Sequence, residues 1–308
     1  KYAFIIASQN TSGDYILNSK NIKNSFVVRE SENIKYGFRA LMNVKDSYDL
    51  SGVGLNVELC YDSAMTSKNV YKDFFCYMTI EGSRECEYSL ILKNCSNCFG
   101  CVGLNNAQYC IFNKQYTKEE YEELLPKVKQ HMMNMPYIDN AGRIYKYGEF
   151  FPFDMCPFGY NEASAGEYFL ISKDEAKEKG YKWIEKEKKD YTPTINSQDL
   201  QDNIYDVDES ILDQIIACPN NGNSIYKCTS AYKITPFELK FYKSKNLSLP
   251  RYCPNCRNQD RISKYKNPFK LWHRKCMKEG CNNEFETSYA PDRSEIVYCE
   301  SCYNKEIY

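Results

Sequence analysis

At 308 residues the chain is longer than one small core needs and points to two or three folded units. Its 40 Lys/Arg nearly balance 41 Asp/Glu, which excludes a uniformly basic surface and leaves only local charge as an argument for a nucleic-acid partner. No run approaches the roughly 18 apolar residues of a membrane helix, so no membrane span is expected.

The first element in chain order is a repeat over residues 19–114. A phrase of Asn, aliphatic, polar, polar, small and aromatic recurs from Asn21, Asn33, Asn43, Asn56 and Asn69, with weaker copies at Glu85, Asn94 and Asn106. The steps are 12, 10, 13, 13, 16, 9 and 12 residues. The pattern predicts a parallel β-solenoid with a repeat of about 11–12 residues, two per coil, carrying Ile/Val, aromatic and Asn ladders. Cys60, Cys86, Cys95, Cys98 and Cys110 fall in the aliphatic and small slots, as buried thiols do. A metal or iron–sulfur site at Cys95, Cys98 and Cys101 is the sharper alternative.

The period changes after Gln115. Thr117 and Glu120 form a capping box, with Tyr121, Leu124, Leu125 and Val128 on one face of the helix that follows, a candidate cap for the solenoid end. Ser172 and Glu175 form a second box, closed by Gly180. Residues 199–213 hold six acids and no base, and read as a linker entering a helix from Asp208 to Ile216. Thr235, Pro236 and Glu238 start a further helix that ends near Asn246.

Cysteine spacing organises the last third. Cys253-x2-Cys256 and Cys299-x2-Cys302 are close pairs, Cys276-x4-Cys281 is a third, and Cys218-x9-Cys228 a looser fourth. Zinc takes four ligands in a tetrahedron, so two structural zinc sites follow: Cys218, Cys228, Cys253 and Cys256, then Cys276, Cys281, Cys299 and Cys302. Cysteine in this spacing without an export signal favours a reducing, cytoplasmic setting. Residues 285–298 are expected as ribbon strands around a turn at Pro291-Asp292-Arg293.

The fold class expected is therefore mainly β with an α+β C-terminal part. Its segments are a solenoid over 1–115, a helical cap and linker over 116–200, a first zinc domain over 201–262 and a second zinc ribbon over 263–308.

Between the two sites the chain is locally basic: residues 227–275 carry thirteen Lys/Arg against Glu238 and Asp260. Cations interleaved with rings suit phosphates and unstacked bases, and the residues chosen on this basis are Arg251, Arg257, Arg261, Lys264, Lys266, Lys270, Trp272, Arg274 and Lys275. The competing reading is a solvated basic face drawn to negatively charged tetrathiolate sites.

The stretch KNCSNCFGCVGLNNAQYCIFNKQYTKEEYEELL at 93–125 resembles a group of zinc-ribbon proteins from small-genome uncultured bacteria, often mislabelled as CoA-transferases. The likeness continues through GEFFP at 148–152, PFGYNE at 157–162, KLWHRKC at 270–276 and YAPDRSEIVYCESCYNKE at 289–306. ELKFYKSKNLSLPRYCPNCR at 238–257 also resembles a "probable zinc-ribbon" domain, which implies Cys253 and Cys256 as ligands. The long Cys218–Cys228 spacing departs from that pattern, and nothing in the chain resembles a CoA-transferase.

The function expected is a non-catalytic intracellular zinc protein that binds RNA or DNA, with the solenoid as a spacer or a face for a protein partner. A pure scaffold is the second reading. An enzyme, such as a nuclease, is the third: the two histidines, His131 and His273, lie far apart in sequence, and four-thiolate sites leave no open position for water. No small-molecule substrate is indicated.

Overall fold

A three-residue period governs the N-terminal structure. In the computed structural model, which describes residues 2–185, 192–223, 226–264 and 269–307, residues at steps of three from Ile16 point into a narrow core, with a step of four where a coil gains a residue, as from Ala40 to Val44. Ser19, Ile22, Ser25, Val28, Ser31 and Ile34 are all buried, and the series continues to Cys110. One residue before each inward position, the backbone turns through the left-handed region, as at Asn18, Asn21, Asn24, Val27, Glu30 and Asn33. Four such three-residue sides close one coil. Non-glycine residues resist this conformation, and Asn tolerates it best, which accounts for the recurrent Asn.

The result is a parallel β-solenoid of about eight turns. Its register corrects the expected coil: Ile22 pairs with Ile34 and Glu32 with Lys45, so each repeat of 12 or 13 residues closes a coil alone rather than in twos. The 13-residue coils carry two successive left-handed residues at one corner, at Met42–Asn43, Leu55–Asn56 and Lys68–Asn69. Later coils return to 12, with Arg84 opposite Ser96 and Cys98 opposite Cys110.

Ladders hold the coils together. Asn21 donates to Asn33 at 2.8 Å, and Asn43 to Asn56 and Asn56 to Asn69 at 2.8 Å each. Inside, the Ser25 hydroxyl accepts Gly37 N–H, Ser47 accepts Cys60 N–H and Ser63 accepts Cys76 N–H. An inward N–H without a backbone partner is costly, so the core selects small side chains that accept it. Gly13 shows the tightness: a Cβ there would lie 1.8 Å from the Ser25 carbonyl oxygen.

The solenoid cysteines belong to this core. Cys95 Sγ donates to the Lys93 and Leu104 carbonyls, and Cys101 Sγ to those of Phe99 and Cys110. Burial pushes the Cys60 thiol up to about 12 and Cys76 well above its ordinary value. These are inert structural thiols. Among the described residues, Cys95, Cys98 and Cys101 do not form a group with convergent sulfurs.

The chain divides into two compact units, residues 1–155 with 266–308, and 156–265. In the first, Lys114–Gln115 folds back antiparallel on Gln108–Ile111, and Thr117 caps helix α1, Lys118–Asn134. The helix runs through Pro126. Tyr121 joins Phe75, Tyr88, Phe99 and Ile111, which lie on successive coils, so α1 covers a flank of the solenoid rather than its end. The 266–308 segment meets the first coil: Thr287 donates to the Tyr2 carbonyl and Ser288 to the buried Asp14 carboxylate.

In the second unit, α2 (Ala165–Tyr168) precedes α3 (Lys173–Glu178), which carries the Ser172 capping box. The acidic stretch does not run into a helix over 208–216. It forms 3-10 turns at Ile204–Asp206 and Glu209–Leu212, then the strand Ile216–Ala217. Asn203 and Asp208 cap the turns, while Leu200, Ile204, Val207 and Ile211 enter the core. Helix α4, Pro236–Lys245, starts at a Thr235 capping box and stops at left-handed Asn246.

Candidate metal centres

Two groups of four cysteines have their sulfurs within 4.8 Å of one another: Cys218, Cys228, Cys253 and Cys256, and Cys276, Cys281, Cys299 and Cys302. Both groups can hold a metal ion.

In the first, Ile216–Ala217 pairs antiparallel with Ala231–Tyr232, and Cys218 and Cys228 sit on the loop between these strands. Turns at Asn221 and Gly222, both left-handed, absorb the long insert. Cys228 N–H donates to the Asn223 carbonyl and Cys218 N–H to the Ser230 carbonyl, which closes the loop. Cys256 lies on the first turn of α5, Pro254–Lys264, with Cys253 immediately before it. Asn255 Nδ2 ties the two halves together through the Lys227 carbonyl at 2.7 Å. Three of the cysteines are buried in the core of this unit.

In the second, Trp272–Lys275 pairs antiparallel with Glu284–Thr287, and Cys276 and Cys281 occupy the connection. The ribbon hairpin therefore lies earlier than expected. The Pro291 region is a turn closed by Arg293 N–H on the Ala290 carbonyl, with no strand after Thr287 among the described residues. The reason is the connection itself, where Cys276 N–H bonds the Asn283 carbonyl and fixes the register. Cys302 lies on the first turn of α6, Glu300–Ile307, with Cys299 immediately before it.

The sulfur separations discriminate between chemistries. Cys218 and Cys256 are 3.8 Å apart, Cys228 and Cys253 4.0 Å, and Cys281 and Cys299 3.9 Å. A disulfide needs about 2.05 Å. Four sulfurs at about 2.3 Å from a tetrahedral zinc stand about 3.8 Å apart.

Electrostatics point the same way. Each C-x2-C lies at a helix N-terminus, which favours anions. In both sites the N–H of the first cysteine of that pair donates to the partner half: Cys253 to Cys218 Sγ at 3.4 Å, Cys299 to Cys276 Sγ at 3.3 Å. Burial pushes the Cys253 thiol up, but donors from Thr229 and Cys256 outweigh it and hold the thiol at about 6. The Ser301 hydroxyl and Cys302 N–H hold Cys299 at about 5. Burial and then neighbouring sulfurs push Cys256 up, and the Cys281 and Cys299 sulfurs push Cys302 up to about 12. Crowded thiols repel once charged, and a divalent cation removes that conflict.

The nine residues of the expected nucleic-acid segment do not share one environment. Arg251 is committed within its unit, donating to the Ser197 and Leu200 carbonyls at 2.6 Å and pairing with Asp202. Arg257 is half-buried, with its Nε unpartnered, and Arg261 is exposed. The Lys264 side chain and all of Lys266 lie outside the described residues. In the first unit, Lys270 is exposed with its ammonium 5.2 Å from the Trp272 ring, Arg274 donates to the Ala290 carbonyl, and Lys275 pairs with Glu284.

A second basic and aromatic feature lies on α4. Phe237 is 80 % exposed and Phe241 47 %. Lys240, Ser244 and Lys245 are exposed beside them, while Leu239 is buried and Tyr242 packs on the core. Their spacing, at positions 0, 3, 4, 7 and 8, puts all five on one helical face.

Among the described residues no helix is long and apolar enough to cross a membrane. Searches against protein-family models, curated proteins and solved structures found no match for this chain.

Proposed function

We propose that this is a non-catalytic protein with two structural zinc ions that binds single-stranded RNA or DNA. The observation that carries the nucleic-acid reading is the outer face of α4. A phenylalanine 80 % exposed one residue into a capped helix, with a second ring and two lysines on the same face, contributes nothing to its own core. Exposed rings stack on unpaired bases and adjacent lysines meet phosphates. Arg261, in the same unit, adds an exposed cation. Zinc is proposed from the four-thiolate donor sets and their separations.

The test is binding of the zinc-loaded chain to random single- and double-stranded RNA and DNA across a salt series. Single-strand affinity should fall steeply with salt. Phe237→Ala should weaken it by about 5- to 150-fold, from about 1–3 kcal/mol per stacked base, and Phe241→Ala added to it should weaken it further. Lys240→Gln and Lys245→Gln should each lower the salt slope by about one. No binding at low salt overturns the proposal. Metal analysis of the purified chain should give two zinc ions.

A further inference from the structure

The flank that α1 covers extends beyond it. Lys35, Tyr48 and Tyr61 stack on successive coils in one outward column. Tyr36, Asp49 and Asp62 occupy the left-handed positions beside them. Tyr36, Tyr48 and Tyr61 are 52, 49 and 38 % exposed.

The covered coils show what this flank binds. Phe75, Tyr88 and Phe99 lie in one cluster with apolar residues of α1 and with Tyr147. Glu87, a column residue, takes Lys129 of α1 at 2.7 Å and the Tyr147 hydroxyl at 2.8 Å. The Lys129 ammonium also lies 4.8 Å from the Tyr147 ring. The binding pattern is therefore an apolar stripe on the rings and a lysine on a solenoid carboxylate.

The earlier coils repeat the rings and carboxylates without the cover. Lys35, one coil before Asp49, shows a cation settling there: its Nζ lies 5.7 and 5.9 Å from the Tyr36 and Tyr48 rings. Asp62 has Tyr48 at the corresponding place, because the column changes from lysine to tyrosine between these coils. The Asp62 side chain makes no hydrogen bond or ion pair among the described residues, and the charged groups that act on it, Asp49 and Glu149, are both acidic. Burial, then Asp49, then Glu149 push its carboxyl up to about 6.

We infer that this uncovered part of the aromatic flank docks a basic amphipathic helix of a partner protein. Its apolar stripe lies on Tyr36, Tyr48 and Tyr61, and its Lys or Arg side chains reach Asp49 and Asp62. A nucleic acid fits poorly, since its phosphates would face carboxylates. Helix on an apolar face, with charges fixing the register, is a common recognition mode.

The experiment uses the full zinc-loaded chain and a labelled Leu/Lys amphipathic peptide of about five helical turns, with a Leu/Glu peptide of equal length as control, followed by fluorescence anisotropy. Saturable binding of the Lys peptide is expected, weakened at least tenfold in Asp49→Asn/Asp62→Asn and in Tyr48→Ser/Tyr61→Ser. Met65→Ser, on another flank, and Phe237→Ala/Phe241→Ala should bind unchanged, which separates this result from the fate of the nucleic-acid proposal. Tyr61 also packs against Phe75 at 5.5 Å, so the carboxylate variant keeps the test decisive if the tyrosine variant fails to fold. Equal affinity for both peptides, no binding of the Lys peptide, or binding indifferent to Asp49→Asn/Asp62→Asn overturns the proposal.

Discussion

Replacing Asp73 with asparagine should make the solenoid more stable above pH 7 and not below pH 4. The Asp73 carboxyl is fully buried; its Oδ1 accepts Cys86 N–H at 3.0 Å and its Oδ2 has no partner. Burial pushes it up from 3.8 to about 7. The folded state therefore holds the proton more tightly than the unfolded chain. Stability from this group is complete below pH 3.8, falls as pH rises, and is lost once pH passes about 7. At about 1.4 kcal/mol per pH unit the full loss is about 4 kcal/mol, of which about 1.6 is gone by pH 5. Asparagine keeps the acceptor for Cys86 and cannot ionise. Its amide leaves an unpaired donor, a penalty of about 1–3 kcal/mol at every pH. The difference between the two proteins should therefore shift in favour of the variant by about 2.5 kcal/mol between pH 5 and pH 8. Cys60 and Cys76 stay protonated over that range and do not interfere. Urea unfolding followed by circular dichroism at both pH values measures the shift. A difference that stays constant with pH would refute the reasoning, and so would one that moves in favour of the natural residue.

Cys253→Ser and Cys299→Ser should each reduce bound zinc from two ions to one. Cys95→Ser should leave two while costing about 1 kcal/mol of solenoid stability, and metal analysis beside urea melts distinguishes them. Asn56→Ala breaks the Asn43–Asn56–Asn69 ladder at a left-handed residue, with an expected loss of about 2 kcal/mol that Asn56→Gly partly restores. Ser288→Ala removes a donor to buried Asp14, so amide exchange over residues 2–17 should rise while zinc content holds.

Much of the metal chemistry was legible because thiolate spacing constrains it: both four-cysteine sets come together as the C-x2-C pairs predict. The Cys218–Cys228 pair was harder, since only a strand pairing of Ile216–Ala217 with Ala231–Tyr232 brings its ends together, and two-residue strands leave little trace in a sequence. The basic segment was legible as composition but not as a surface. Arg251 turned inward because the Ser197 and Leu200 carbonyls needed a donor, and those lie some fifty residues away along the chain.

The solenoid shows why a correct fold arrived with a wrong coil. Among steps of 12 and 13, the Asn phrase recurs at steps of 10, 16 and 9. Each differs from a 12- or 13-residue coil by three, the length of one side. The phrase begins at one corner in Asn21 and Asn33, moves back one corner for Asn43, Asn56 and Asn69, returns at Glu85, and moves back again at Asn94. The hydrogen bonds record the same shift: Asn33 continues its ladder to Asp46, while Asn43 starts a new one to Asn56. All four corners need a left-handed residue and all four sides need a small or branched inward residue, so one phrase fits any of them. The sequence therefore carries the three-residue period strongly and the coil period weakly. Register is decided by the coil as a whole, through inward Ser and Asp side chains that must meet the N–H of the next coil.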